Sequence, residues 1–178
     1  MRDETEILRY DGVARALHWL TVLLVVIQYA VAWTMPDIRG GTLPLGLIAW
    51  HLSIGTAILL VMVVRVVWRL MHRAPPPPSS LSPALQLVSR TTHVALYALL
   101  VALPLMGWAN ASARGWNVML FGVVPLPPLS SPGSSLGHAL GDVHQTVAIA
   151  LLVTIGLHVL GALYHLAVVR DRTVQRML

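Results

Sequence analysis

The chain has 178 residues, 56% of them hydrophobic and 11% charged, and its mean hydropathy is +0.73. A soluble domain of this size carries about 25% charged residues, so the composition excludes an ordinary water-soluble globule. Cysteine is absent, which excludes disulfides, iron–sulfur clusters and the C-x-x-C-H attachment of c-type haem.

A polar segment, Met1 to Ala14, opens the chain and reads as a short interfacial piece. Four apolar runs follow, each long enough for a hydrocarbon core that takes about 20 residues per helix: roughly 15–35, 47–70, 91–111 and 143–169. Backbone groups in lipid must be satisfied internally, and the period-2 alternation of a barrel is missing, so the runs are predicted to be helices. The expected architecture is all-α: one integral-membrane four-helix bundle forming a single domain over residues 1–178. The first run is too long for a signal-peptide core and is expected to stay in the mature protein.

Pro36 and the Gly40-Gly41 pair end the first run. The Pro75-Pro76-Pro77-Pro78-Ser79-Ser80 stretch links the second and third as a stiff spacer. Pro104 should kink the third helix, and Gly107 allows close approach. The long connection from Ser112 to Gly141 should cap one end of the bundle, with Trp116 and Phe121 near the interface. Every basic residue is arginine. Nine of the twelve flank the side that holds the termini and the 71–90 connection, while only Arg39 and Arg114 lie in the other two connections. The positive-inside rule therefore puts both termini and the 71–90 connection in the cytoplasm. The same asymmetry accounts for a pI near 10.7, and no nucleic-acid partner is needed.

Eight histidines in so apolar a chain require explanation, because an imidazole in hydrocarbon must be paired or liganded. His18, His51, His93, His144 and His158 lie inside or at the ends of the predicted helices. His144 and His158 are 14 residues apart on one helix, roughly 40° from alignment and about 21 Å apart along its axis. One helix thus offers one ligand at each of two membrane levels, which suits two stacked haems better than one metal site. With alternating helix directions, His51 and His144 share the outer level. At the inner level His158 meets either His18 or His93, and spacing does not choose between them.

Arg65 follows His51 by the same 14 residues, so it should project at the inner level. No acidic residue lies inside the four predicted runs, and a haem propionate would supply the anion it needs. A histidine-lined carrier of zinc or copper would bring carboxylate or sulfur ligands with it. Haem is favoured.

At these residues the chain resembles the bacterial cytochrome b561 family. The matching pieces are Arg15-Ala16-Leu17-His18-Trp19, Trp50-His51-Leu52-Ser53-Ile54-Gly55, and Val63-Val64-Arg65 with Arg69. They continue through the proline-rich linker, Thr92-His93 to Tyr97, Ala102-Leu103-Pro104-Leu105-Met106-Gly107, His144, and Gly156-Leu157-His158. The resemblance implies two non-covalent haem b groups with bis-histidine ligation: His51 with His144 on the outer haem, and His18 rather than His93 with His158 on the inner one. His93 and His165 would then lie beside the inner haem or at a quinone site.

The resemblance further implies transmembrane electron transfer, with superoxide oxidised at the periplasmic face and ubiquinone reduced within the membrane. Capture of an anion favours a positive entrance, and Arg39 and Arg114 are the candidates for it. The alternative is a haem b anchor subunit that docks a redox partner protein, a dehydrogenase or hydrogenase, and exchanges electrons with quinone.

Overall fold

The computed structural model describes residues 9–73, 75–76 and 82–178. Met1–Leu8 and, within the expected proline spacer, Pro77–Ser80 lie outside the described residues. Four long helices dominate: α1 (Gly12–Thr34), α2 (Leu47–Met71), α3 (Pro83–Ala113) and α4 (Ser135–Tyr164). All four are long and apolar enough to cross a membrane, α4 together with the π-helical turn His165–Val169 that continues it. A two-residue hairpin, β1 (Met119–Leu120) with β2 (Val124–Pro125), sits in the connection between α3 and α4.

Local chemistry sets the helix starts. Asp11 caps α1 by accepting from the Ala14 N–H at 2.9 Å. Ser82 and Ser134 cap α3 and α4, and Pro83 fills the first position of α3, where a missing N–H is harmless. Hydropathy alone placed α3 and α4 eight residues too late, since these caps lie in polar stretches that precede the apolar runs. Asp142, which precedes the fourth apolar run, consequently lies within α4, where it is exposed. Helix α3 runs on through Pro104.

The helices pack as α1 on α2, α2 on α3 and α3 on α4. The core is a narrow seam: Ile54, Ile58 and Met62 repeat every four residues down one face of α2 and meet Leu100 and Leu103 of α3 and Leu151 of α4. Tyr29 closes the bundle by donating its hydroxyl to the Ala148 carbonyl at 2.7 Å, tying α1 to α4. Most large apolar side chains, Leu23, Val26, Leu60, Val153 and Leu160 among them, face outward. In lipid that outward face is the solvated one, and helices associate by close packing of small residues instead.

Helix α4 supplies such residues with Gly137 and Gly141. A Cβ on Gly137 would lie 2.6 Å from the Ala113 Cβ, and one on Gly141 would lie 2.4 Å from the Asn110 side chain. The α3–α4 contact is thereby drawn tight. This is a multi-pass membrane bundle.

The two ends of the bundle differ. At the loop end, Ser53 of α2 accepts from the Phe121 N–H and donates to the Met119 carbonyl, both at 3.1 Å, clasping the hairpin down. Phe121 packs edge-on against Trp50, as a capping loop requires. At the opposite, terminal end, residues 171–178 fold back over the start of α1: the Tyr10 N–H donates to the Arg176 carbonyl at 3.1 Å, and the Trp19 indole to the Met177 carbonyl at 2.8 Å.

Candidate functional site

Helix packing brings the histidines together at two levels. Near the loop end, His51 of α2 faces His144 of α4 with ring centroids 6.2 Å apart and planes at 71°. Near the terminal end, His18 of α1 faces His158 of α4 at 6.3 Å and 69°. The two pairs nearly match in spacing and in interplanar angle. Among the described residues no three His, Cys, Asp or Glu converge as a cage for a bare metal ion; opposed pairs are the repeated motif.

The chemistry of those pairs can be tested against a haem. A metal–imidazole bond of about 2.0 Å puts the ring centroids of two imidazoles on opposite sides of one metal about 6.3 Å apart. Both pairs have that spacing. The Nδ1 atoms of His51 and His144 are buried with no hydrogen-bond partner among the described residues. The residues present fit the group.

Gly107 of α3 makes the room for His144, whose Cε1 lies 3.3 Å from where a Cβ on residue 107 would stand. Gln28 of α1 donates to the His51 carbonyl at 3.1 Å and lies 3.3 Å from its Nε2. Sequence reading passed over Gln28. The signal was there: an amide between valines and an aromatic in a membrane helix needs a partner as a histidine does.

The terminal-end pair has more company. His93 of α3 comes within 5.1 Å of the His158 ring, with planes at 81°, and its Nδ1 is 2.6 Å from the Ser89 carbonyl. Arg65 is at this level, as its offset from His51 predicts: its Nη2 donates to His18 Nδ1 at 3.0 Å, and its guanidinium sits 5.3 Å from the centre of the Tyr97 ring. Neither of these two neighbours, a ring nitrogen and an aromatic face, carries a negative charge.

The remaining candidates lie elsewhere. His165 begins the π-helical turn and pairs with Asp171, Nδ1 to Oδ2, at 2.8 Å. At the loop end Arg39 pairs with Asp37 at 3.1 Å, both side chains more than 80% exposed, so its charge is largely spent locally. Arg114 follows the last turn of α3, with its guanidinium 5.6 Å from the centre of the Trp116 ring.

The sequence profile of prokaryotic cytochrome b561 matches residues 9–178. A protein of Yersinia pestis described as a probable superoxide oxidase, CybB, is 33% identical over 174 residues, covering 96% of both chains. The cytochrome b561 homolog 2 of Escherichia coli K12 is 29% identical over 177 residues (96% of this chain, 91% of the relative), and homolog 1 is 30% identical over 182 residues (96% and 97%). The chain belongs to the prokaryotic cytochrome b561 family, and is therefore a multi-pass bacterial inner-membrane protein of membrane electron transfer through b-type haem.

Proposed function

We propose that the chain works as a single di-haem domain that oxidises superoxide at the loop end and reduces ubiquinone within the membrane, near the terminal end. The observation that carries this reading is the repeated histidine pair: two opposed rings at 6.2 Å and two at 6.3 Å, on a common helix. In this reading His51 and His144 hold one haem b, and His18 and His158 the other. The 5.1 Å between His93 and His158 is short for two ligands across one iron, which supports His18 as the partner. Both termini face the cytoplasm, following the arginine distribution.

Bound haem would supply reversible one-electron chemistry at each level. The chain's own part is to hold, orient and insulate. With two imidazoles to hold the group at each site, donor and acceptor would exchange electrons without binding to the metal. The seam of Ile54, Ile58, Met62, Leu100, Leu103 and Leu151 keeps water from the region between the two levels.

Arg65 has a second task. If His18 gives Nε2 to a metal, its Nδ1 carries the proton and can no longer accept from Arg65. The guanidinium must then turn to another acceptor, and a propionate fits that need. At the loop end superoxide meets Arg114, since Asp37 neutralises Arg39. The family relationship and the Yersinia pestis relative described as a probable superoxide oxidase support the choice of donor.

Stopped-flow absorbance of the purified protein tests the proposal. A superoxide pulse should reduce haem b within the mixing experiment, and added ubiquinone should reoxidise it. Haem reduced by quinol but not by superoxide would replace this function with that of an electron-transfer subunit for a partner dehydrogenase.

A further inference from the structure

The fourth helix ends unlike the other three. After Tyr164 the chain widens into the π-helical turn His165–Val169, and Arg170 then takes a left-handed conformation with φ of 54°. In a regular α-helix, residues six apart point to different sides. Here the wide turn and the left-handed residue carry Asp171 back onto His165, Oδ2 to Nδ1, at 2.8 Å. The side chains are 13% and 18% exposed. The Thr173 N–H donates to the other carboxylate oxygen, Oδ1, at 2.9 Å, so the carboxylate is held from both sides.

The segment that follows is strapped down. Beyond the bonds from Tyr10 and Trp19, Arg15 donates to the Leu178 carbonyl oxygen, and Arg176 donates to the Pro76 carbonyl at 2.7 Å. Trp19 lies edge-on to His18, with centroids 5.3 Å apart. The strap therefore runs from the His165–Asp171 pair to the flank of the His18–His158 pair.

An electron path does not use this arrangement, because His165 lies about 10 Å along the helix axis from His158. Closing a helix end does not need it either, since an enclosed ion pair adds little to stability over apolar packing. Its chemical value is orientation. A carboxylate on Nδ1 fixes the imidazole as the Nδ1–H tautomer and stabilises the imidazolium, leaving Nε2 as the position that exchanges a proton.

We propose that Asp171 is a positioning residue acting through His165, and that the pair delivers protons to the quinone; this rests on the reading of quinone as the electron acceptor. Ubiquinone takes two electrons, arriving one at a time by way of the haem sites, and two protons. For each proton the Nε2–H bond of the His165 imidazolium breaks, an O–H bond forms on a quinone oxygen, and water at the terminal end reprotonates the ring. Among the described residues, Asp171 and the Tyr164 ring, edge-on at 6.4 Å, face His165. Arg170 directs its Nε to the Ala167 carbonyl, and Arg172 follows Asp171 in the chain.

The test uses the haem-loaded protein, chemically pre-reduced and mixed with a short-chain ubiquinone between pH 5.5 and 9, with haem reoxidation as the readout. Asp171→Asn should keep the wild-type haem spectrum and haem content. Its reoxidation should slow about tenfold or more, most of all on the alkaline limb of the pH profile. Asp171→Glu, which restores the charge, should recover part of that limb. If Asp171→Asn fails to retain haem, His165→Gln tests the same pair, because it removes the ring and keeps a side chain that can bond the carboxylate.

An unchanged pH profile in Asp171→Asn overturns the inference while leaving quinone as acceptor. Unchanged reoxidation in His165→Gln also overturns it and moves the quinone elsewhere. Wild-type haem that quinone cannot reoxidise defeats the underlying reading itself.

Discussion

Gly107 and His144 meet across the α3–α4 contact, and the glycine has no Cβ because the imidazole takes the space: a Cβ there would stand 3.3 Å from His144 Cε1 and 3.7 Å from its Nδ1. Alanine at 107 should push the ring by a few tenths of an ångström. Valine should displace it and cost about 1–3 kcal/mol of stability through overpacking. If each histidine pair holds one haem, Gly107→Val should lose the loop-end haem and keep the other, read as haem per protein falling from two to one by the pyridine haemochrome assay. A variant with both haems and an unaltered spectrum would show that His144 is not a ligand.

The terminal-end cluster sets a contest between His18 and His93, both of which touch His158. His18→Ala should remove one haem. His93→Ala should retain both, because the His18–His158 spacing matches the loop-end pair and the His93–His158 spacing does not. Low-temperature spectra that resolve the two reduced α-bands decide it, and retention of the terminal-end haem in His18→Ala would reverse the assignment.

Much of this architecture was legible in the sequence because membrane physics simplifies the code. Four runs of sufficient length fixed four helices, and the 14-residue offset from His144 to His158, repeated from His51 to Arg65, placed those side chains at two levels before any packing was known. Three things were not legible. The true starts of α3 and α4 depend on Ser82 and Ser134, which only act as caps once the helix direction is set. Residue spacing leaves His18 and His93 both open opposite His158, because their ring distances differ by about an ångström, which no residue count resolves. The Asp171 partnership needs a π-helical turn and a left-handed Arg170, and neither has a signature in the residues there. Asp171 is six places from His165, an offset that regular helix geometry assigns to another face.

Arg114 carries the positive charge left at the loop end once Asp37 has neutralised Arg39. If superoxide enters there, charge steering should speed its capture and weaken with salt. Arg114→Gln is expected to slow superoxide-driven haem reduction several-fold at low ionic strength, and the difference from wild type should shrink above about 0.15 M salt, where the Debye length falls to about 8 Å. Equal rates for wild type and Arg114→Gln at low salt would remove Arg114 from the entrance.

Asp11 joins two helices at the terminal end. It caps α1 through the Ala14 N–H and accepts the Trp68 indole of α2 at 3.0 Å on Oδ1 and 3.2 Å on Oδ2. The Ala14 N–H holds its carboxyl below the ordinary value of 3.8, with Trp68 and His72 pulling the same way against a weaker effect of burial. A carboxyl depressed on folding contributes stability that is fully present above its unfolded pKa and is lost as the pH falls through the folded one. Asp11→Ala should therefore cost about 1 kcal/mol, as loss of an N-cap does, and the gap from wild type should persist from pH 5 to 8. Below about pH 4 the gap should narrow, as the wild-type carboxylate takes up its proton. Thermal unfolding in detergent, followed by circular dichroism across that range, measures both. A gap that stays constant down to the lowest pH would mean that shape and hydrogen bonding, not charge, make Asp11 the start of the first helix.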